Sequence, residues 1–197
     1  MEFLDSWWAF MSTRVDQIQV ALAEHSVYVV TVLGLASFFS VGLGILTRRN
    51  VLARELSLAV TSVFLTLPSL ALFTIFIPLV GLGFAPSFIA LFLYSLLLIL
   101  RNTITGLDGI DHSVLESAKG MGLTPRQVLI SVQLPLAWPV ILAGIRVSSM
   151  LIVGIAAIAT LVAGGGLGDF IKSGLARLPL PIAIAMPLRL RVLALAG

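Results

Sequence analysis

The feature that most constrains this chain is the length of its uncharged segments. Residues 26–47 and 56–100 carry no charged side chain, and residues 127–168 carry a single one, Arg146. About 20 apolar residues cross the hydrocarbon core of a bilayer, so each segment is long enough to span it. Only 11% of the 197 residues are charged, whereas soluble domains average about 25%. The sequence therefore predicts an all-α, polytopic membrane protein.

The longest uncharged segment, residues 56–100, is too long for one crossing. As a single helix it would measure about 67 Å at about 1.5 Å per residue, roughly twice the hydrocarbon thickness. Gly81, Gly83 and Pro86 mark the place where it turns, because glycine releases a helix and proline can begin one. With the flanking segments this predicts four spans, at residues 26–46, 56–80, 86–100 and 137–162.

The chain before the first span, residues 1–25, is predicted to lie outside the membrane or at its surface. It lacks the positive region of a signal peptide, because four acidic side chains outnumber Arg14. Its apolar residues recur at helical spacing, which favours an amphipathic interfacial helix, and a frayed terminus is the alternative. These apolar residues are Phe3, Leu4, Trp7, Trp8 and Met11.

The end of the chain lacks the pattern of an ordinary membrane-spanning helix. Residues 178–188 are uncharged, but eleven residues with three prolines are too few to cross a bilayer. Either a doubtful fifth crossing at residues 178–188 carries Arg189 and Arg191 into lipid, or the natural C-terminus is lost or altered; residues 189–197 are assigned to a tail.

The positive charges predict the orientation. The loops 47–55 and 101–135 hold six Lys or Arg residues, and the opposite side holds three. Because cytoplasmic loops are enriched in Lys and Arg, these two loops are predicted to be cytoplasmic and the N-terminus to be outside. The six are Arg48, Arg49, Arg54, Arg101, Lys119 and Arg126, and the three are Arg14, Lys172 and Arg177.

The polar stretch 101–135 contains two helix-start patterns. Ser113 with Glu116, and Thr124 with Gln127, each have the spacing of a capping box. Glycines at positions 120 and 122 separate them, which predicts two short helices that meet at a sharp bend. A connector needs only a few residues, so this element is predicted to act as a lever between two spans; an interfacial helix under the bundle is the alternative.

The same stretch resembles the EAA loop of ABC importer permeases, which reads E-A-A, three residues, G, nine residues, I, one residue, L-P. Every spacing fits, with Ser117 in place of alanine and Val132 in place of isoleucine. The resemblance implies the fold of type I ABC importer permeases, in which this loop supplies the helix that docks on the ATPase. The implied coupling residues are Glu116, Ser117, Ala118, Gly122, Thr124, Pro125, Leu134 and Pro135.

The resemblance extends over residues 24–178, to the osmoprotectant branch of these permeases. The segments that show this resemblance include Leu67 to Ala71, Ala143 to Arg146 and Gly164 to Asp169. It implies an importer of glycine betaine, carnitine or choline in the inner membrane, with ABC ATPase subunits and an extracytoplasmic binding protein as partners. It also implies a second permease chain, either a copy of this one or a paralogue.

The sequence contains no pattern typical of a catalytic or metal-binding site. There is no cysteine, the two histidines are isolated, and no G-x-x-x-x-G-K-[ST] phosphate-binding loop occurs. We therefore expect no catalytic, cofactor or metal site, and no basic patch suggests nucleic acid. ATP and Mg²⁺ are expected on the partner ATPase.

Three places are candidates for the solute pathway or for gating. Pro68 interrupts the second span beside Ser69, which predicts a kink next to the solute pathway. The alternative is that the kink only shapes the helix bundle. Arg146 is the only charge inside a predicted span, for which a structural or gating role is favoured over solute contact. Gly164, Gly165 and Gly166 suggest a hinge or re-entrant segment, or else a plain connector.

Two competing functions remain open at this point. One is an ABC permease for another solute, such as an amino acid, because no residue pattern in the predicted spans identifies the solute. The other is an ATP-independent channel or membrane scaffold, which would need no ATPase partner.

Overall fold

The computed structural model describes Trp8 and residues 12–177, and this part of the chain is helical without any strand. The proposed interfacial helix, apart from an exposed Trp8, and the segments 178–188 and 189–197 lie outside the described residues. The helices are α1 Val15–Thr47, α2 Val51–Thr66, α3 Ser69–Val80, α4 Phe84–Asp108, α5 His112–Gly120, α6 Pro125–Gln127, α7 Leu134–Ile158 and α8 Gly168–Arg177. A π-helical turn, Val128–Gln133, joins α6 to α7, and a 3₁₀ turn, Ala159–Val162, follows α7.

The bundle is built on α1, α4 and α7, which are long and apolar enough to cross a membrane. Helices α1 and α4 run parallel, since Tyr28 stacks near Phe84 while the Ser40 hydroxyl donates to the Leu96 carbonyl at 3.2 Å. Helix α7 runs antiparallel to them. We call the end that holds Thr47 and Asp108 the hairpin end, and the opposite end the far end.

Small residues let these helices approach closely. A Cβ atom added to Gly44 would lie 2.8 Å from the Thr103 side chain, so α1 meets α4 there. A Cβ atom added to Gly106 would lie 3.0 Å from the carbonyl oxygen of Ala137, which brings α4 onto α7. Membrane helices use glycine in this way, because lipid offers no hydrophobic drive for association and packing must supply it.

Large apolar side chains lie on the outside of the bundle as well as in its core. Val32, Phe73, Leu91 and Ile152 are buried, whereas Phe38 is 75% exposed. A soluble protein rarely exposes such a surface over a wide area. The outer faces of these helices therefore suit contact with lipid or with another membrane subunit.

The structure corrects several predicted boundaries. Helix α1 begins at Val15, so the helix that contains the predicted first span also includes residues 15–25. Helix α4 continues through residues 101–108 instead of ending at residue 100, and so the polar loop starts later than predicted. The predicted span 56–80 is two helices, α2 and α3, that meet at 100°. Counting this pair as one crossing gives up to four spans in the described residues.

Candidate functional site

The polar hairpin, residues 111–133, begins with α5. The side chain of Asp111 accepts the Ser113 N–H at 2.8 Å and so caps this helix. The hydrogen bond from Ser113 lowers the pKa of the Asp111 carboxyl below its usual value. The predicted capping box on Ser113 and Glu116 is therefore wrong, because the carboxylate two residues earlier takes the cap position. Glu116 instead lies beside His112, with the Nδ1 and Oε1 atoms 3.4 Å apart.

The predicted bend after α5 is present, and it is a Schellman turn. The N–H of Leu123 donates to the Ala118 carbonyl at 3.3 Å, and the N–H of Gly122 donates to the Lys119 carbonyl at 2.9 Å. Gly122 has φ +79°, the left-handed conformation that this turn requires. Ala118 is 1% exposed, so a larger side chain has no room there. The motif spacing from Ala118 to Gly122 is thus the spacing of the turn itself.

The second arm of the polar hairpin is continuous with α7. The predicted capping box is confirmed: the Thr124 N–H donates to Gln127 Oε1 at 2.8 Å, and the Gln127 N–H donates to Thr124 Oγ1 at 3.4 Å. Pro125 is the first helical residue. The chain then passes without a break through the π turn into Leu134, so this arm is an extension of α7 rather than a separate short helix.

Pro135 explains the π turn. It has no N–H to donate, and its ring would clash with the carbonyl oxygen four residues earlier in a regular α-helix. The wider π turn, Val128–Gln133, lies directly before it, and the N–H of Leu134 donates to the Leu129 carbonyl. The final Leu-Pro of the motif therefore sets the junction between the polar hairpin and the membrane helix.

Polar contacts tie the polar hairpin to the rest of the bundle. Arg48, at the end of α1, donates from Nη1 to Gln133 Oε1 at 2.5 Å. Burial, and then the charge of Arg49, lower the pKa of the Arg48 guanidinium. Arg54 of α2 pairs with Asp108 of α4 at 2.6 Å. A cleft of about 710 Å³ lies between these contacts and α5.

The outer surface of the polar hairpin is available for contact. Glu116, Ser117, Thr124 and Pro125 are exposed, and Met121 at the bend is 73% exposed. An exposed methionine at a bend is a flexible apolar contact of the kind used at binding surfaces. The structure therefore brings the predicted residues 116–125 onto one protruding hairpin. Leu134 and Pro135 lie at its base.

The break between α2 and α3 lies near the middle of the bundle. Pro68 is exposed at the start of α3, where its carbonyl accepts the Leu72 N–H at 3.0 Å, and Ser69 beside it is partly buried. The Leu67 carbonyl accepts a hydrogen bond from the Tyr94 hydroxyl, and Tyr94 lies in the middle of α4. The predicted kink is confirmed as a bend of 100°. The Leu67 carbonyl at the bend accepts its hydrogen bond from α4 and not from its own helix.

We expect Tyr94→Phe to weaken this bend. The substitution keeps the ring but removes the hydroxyl, leaving the Leu67 carbonyl without that donor at a cost of about 1–3 kcal/mol. Thermal unfolding of the purified protein in detergent measures the loss. Ser62→Ala is the matched control, because the exposed Ser62 hydroxyl bonds only to Ala59 within its own helix. Equal stability of the two variants would contradict the assigned role of Tyr94.

The three glycines form a packed reversal at the far end. Ala163 has φ +62° and ends the 3₁₀ turn that follows α7, and the Gly164 N–H donates to the Ala159 carbonyl at 2.9 Å. Gly165 and Gly166 both have φ +76°. A Cβ atom on Gly164 would lie 2.9 Å from Ser87 Oγ, so this segment is packed against α4. The segment is therefore not a loose connector.

Arg146 lies on the exposed face of α7. The ion pairs found within the described residues do not include it. Its neighbour on the adjacent face, Gly144, packs against Asn102 of α4. Arg146 lies within α7, whereas Pro68 lies between α2 and α3 and the glycines follow the 3₁₀ turn.

Comparison with known proteins identifies the family. Residues 36–196 match the family described as "Binding-protein-dependent transport system inner membrane component". The chain belongs to this family. It is a multi-pass membrane permease subunit of a transport system.

Its similarity to individual permeases is high. It is 42% identical to the choline transport system permease protein OpuBB of Bacillus subtilis, over 84% of this chain and 76% of that protein. It is 40% identical to the glycine betaine/carnitine/choline permease OpuCB of the same organism over the same shares. It is 38% identical to the osmoprotectant import permease OsmW of Salmonella typhimurium, over 87% of this chain and 82% of that protein.

A solved structure has the same fold. The inward-facing MetNI methionine ABC transporter matches with a TM-score of 0.71 at 23% identity, over 89% of this chain and 88% of that chain. At this identity the match concerns the fold of the permease and not its solute. The predicted fold of a type I importer permease is confirmed.

Sequence reasoning missed three contributors to this site. Asp111 could have been found, because an aspartate two residues before a serine offers a helix cap of its own. Arg48 was counted only as a positive charge, and its contact with Gln133 spans residues far apart in the chain. Tyr94 was not singled out, since the Leu67 carbonyl to which its hydroxyl donates lies 27 residues away in the chain.

Proposed function

We propose that this permease imports quaternary ammonium osmoprotectants, such as choline, carnitine or glycine betaine, driven by ATP that separate ATPase subunits hydrolyse. The observation that carries the solute class is the 38–42% identity to permeases named for these solutes over most of their length. The methionine transporter supports the fold alone, and so it does not favour an amino acid as cargo.

The proposed coupling element is the polar hairpin. In our proposal it faces the cytoplasm, which the Lys and Arg residues at this end of the bundle support. It docks on the ATPase through exposed Glu116, Ser117 and Met121. Its second arm continues into α7, and Gln133 receives a hydrogen bond from Arg48 of α1. A displacement of the polar hairpin would therefore move α1 and α7 directly.

The remaining partners follow from the same proposal. A second permease chain, either a copy or a paralogue, covers part of the exposed apolar surface, and lipid covers the rest. An extracytoplasmic binding protein delivers the solute at the far end, on the side of the N-terminus. ATP and Mg²⁺ bind to the ATPase, and the permease itself carries no cofactor.

Uptake measurements test this function. The permease is expressed with its ATPase and binding protein in cells that lack other osmoprotectant uptake, and entry of radiolabelled choline, glycine betaine, carnitine and methionine is measured. We expect uptake of at least one quaternary ammonium solute, abolished when the ATPase carries an inactivating substitution in its phosphate-binding loop. Uptake of methionine alone would overturn the solute class, and uptake that survives ATPase inactivation would favour a channel.

A further inference from the structure

A cavity of about 290 Å³ opens at the far end, between α1, the start of α4 and the glycines that follow α7. Glu24, His25 and Tyr28 of α1 line it together with Phe84 of α4 and Gly166. Pockets for drug-sized ligands measure about 300–1,000 Å³, so this one suits a smaller molecule. We call it the far-end pocket.

Aromatic rings form one side of the far-end pocket. The ring centroids of Tyr28 and Phe84 are 4.7 Å apart, and Phe88 packs against both at 6.5 Å and 5.5 Å. The faces of aromatic rings are negative and attract cations, above all quaternary ammonium groups. Glu24 adds a carboxylate at the mouth of the same cavity, and so this part of the pocket favours a positive charge.

Two buried polar atoms beside the rings lack partners. His25 and Tyr28 are each only 6% exposed, and within the described residues His25 Nδ1 and Tyr28 Oη make no hydrogen bond. The Ser87 side chain lies near Tyr28, but its hydroxyl donates to the Gly83 carbonyl at 3.4 Å. Leaving buried polar atoms unpaired costs free energy, so such atoms in a pocket indicate a polar ligand.

The glycine at position 166 keeps the pocket open. A Cβ atom there would lie 3.2 Å from His25 Nδ1, which is closer than most real contacts of this kind. Gly166 also has φ +76°, where other residues are strained. Both facts explain why the segment that closes over the pocket carries glycine at this position.

The position of the pocket suits solute entry. Tyr28 lies 19 residues before the end of α1 at Thr47, which corresponds to about 28 Å of helix at about 1.5 Å per residue. The pocket is therefore about one hydrocarbon thickness, roughly 30 Å, away from the polar hairpin. A solute released at the far end would meet it first.

From these observations we infer that the far-end pocket is an entry subsite for small quaternary ammonium solutes, an inference that rests on the proposed function. The trimethylammonium group lies against Tyr28 and Phe84, and Glu24 supplies the opposite charge. The hydroxyl or carboxylate at the other end of the solute pairs with His25 Nδ1 and Tyr28 Oη. The subsite thus recognises both ends of a choline- or betaine-like molecule.

Uptake kinetics of the complete transporter test the cation side. We expect Phe84→Leu and Glu24→Gln each to raise the KM for choline about tenfold, the loss of one cation contact, with little change in the maximal rate. Phe38→Leu and Glu55→Gln are the matched controls, since Phe38 is exposed on the outside of α1 and Glu55 lies near the hairpin end. The neutral choline isostere 3,3-dimethylbutan-1-ol should not compete with choline uptake in the wild type.

The polar side is tested by Tyr28→Phe, which keeps the ring and removes the hydroxyl. We expect a severalfold higher KM for choline but unchanged inhibition by tetramethylammonium, which has no group to pair with Tyr28. Thermal unfolding of each variant in detergent verifies that the fold is intact. A hydroxyl that is only an unsatisfied core group would give a more stable variant with wild-type kinetics.

The outcomes separate this inference from the proposed function. If the wild type imports choline and the pocket variants keep its KM, the subsite is refuted and the function stands. If the wild type imports no quaternary ammonium solute, the proposed function fails and the subsite with it. Competition by the neutral isostere equal to that of choline would also refute a cation subsite.

Discussion

Replacing Gly144 with alanine is expected to destabilise the bundle by about 1–3 kcal/mol, the cost of forcing extra volume into a packed helix contact. An added Cβ atom would lie 2.6 Å from Cβ and 2.9 Å from Cγ of Asn102. Asn102 cannot turn away cheaply, because its Cβ is fixed to the α4 backbone and its Nδ2 donates to the Leu98 carbonyl at 2.8 Å. The two helices must therefore separate.

Gly154→Ala is the matched control in the same helix. No atom lies within 4 Å of a Cβ added at Gly154, and alanine favours a helix over glycine by about 0.5–1 kcal/mol. Thermal unfolding of both purified variants in the same detergent gives the comparison. If Gly144→Ala proved as stable as Gly154→Ala, the close approach of α4 and α7 at this point would be incorrect.

The helix content of the chain could be predicted from its uncharged segments, but the end of α4 could not. Arg101 and Asn102 suggested a loop because polar residues rarely continue a membrane span. In the structure Thr103 is buried, and its hydroxyl donates to the Ile99 carbonyl at 2.8 Å. Because the helix satisfies such groups internally, polarity alone does not mark where a helix ends.

The bend at Pro68 could be predicted in place but not in size. Proline removes one hydrogen bond, which by itself produces a modest kink. The observed angle of 100° depends on the packing of α3 against α4. It also depends on the hydrogen bond from the Tyr94 hydroxyl to the Leu67 carbonyl, which forms only when the two helices are packed together. Such long-range pairings leave no local signal in the sequence.

The polar hairpin shows the reverse case, in which the spacing of a motif has a local cause. Ala118 supplies the carbonyl that accepts the Leu123 N–H, and Gly122 supplies the left-handed conformation that the Schellman turn requires. What the motif could not reveal was the continuity of the second arm with α7. The sequence predicted a separate short helix, whereas the π turn before Pro135 lets this helix continue into α7.

Replacing Gly122 with valine is expected to lower solute-stimulated ATPase activity and uptake by about tenfold or more in the proposed complex. A branched side chain at φ +79° is strained by at least about 1–2 kcal/mol, and about 1.4 kcal/mol corresponds to a tenfold shift in an equilibrium. The turn would then open and change the angle between the two arms. Membrane insertion should be unaffected, because a Cβ at Gly122 meets no atom within 4 Å.

Two variants of the polar hairpin make this test specific. Gly120→Val adds the same side chain two residues earlier, where the backbone is helical and space is also open, so coupling should persist. Gly122→Asn should restore much of the activity, since asparagine tolerates the left-handed conformation. Activity of reconstituted proteoliposomes and co-purification of the ATPase are the measurements. Because strain at φ +79° is the property that separates the three variants, equal loss in Gly120→Val and Gly122→Val would mean that bulk at the docking surface, and not the turn, controls coupling.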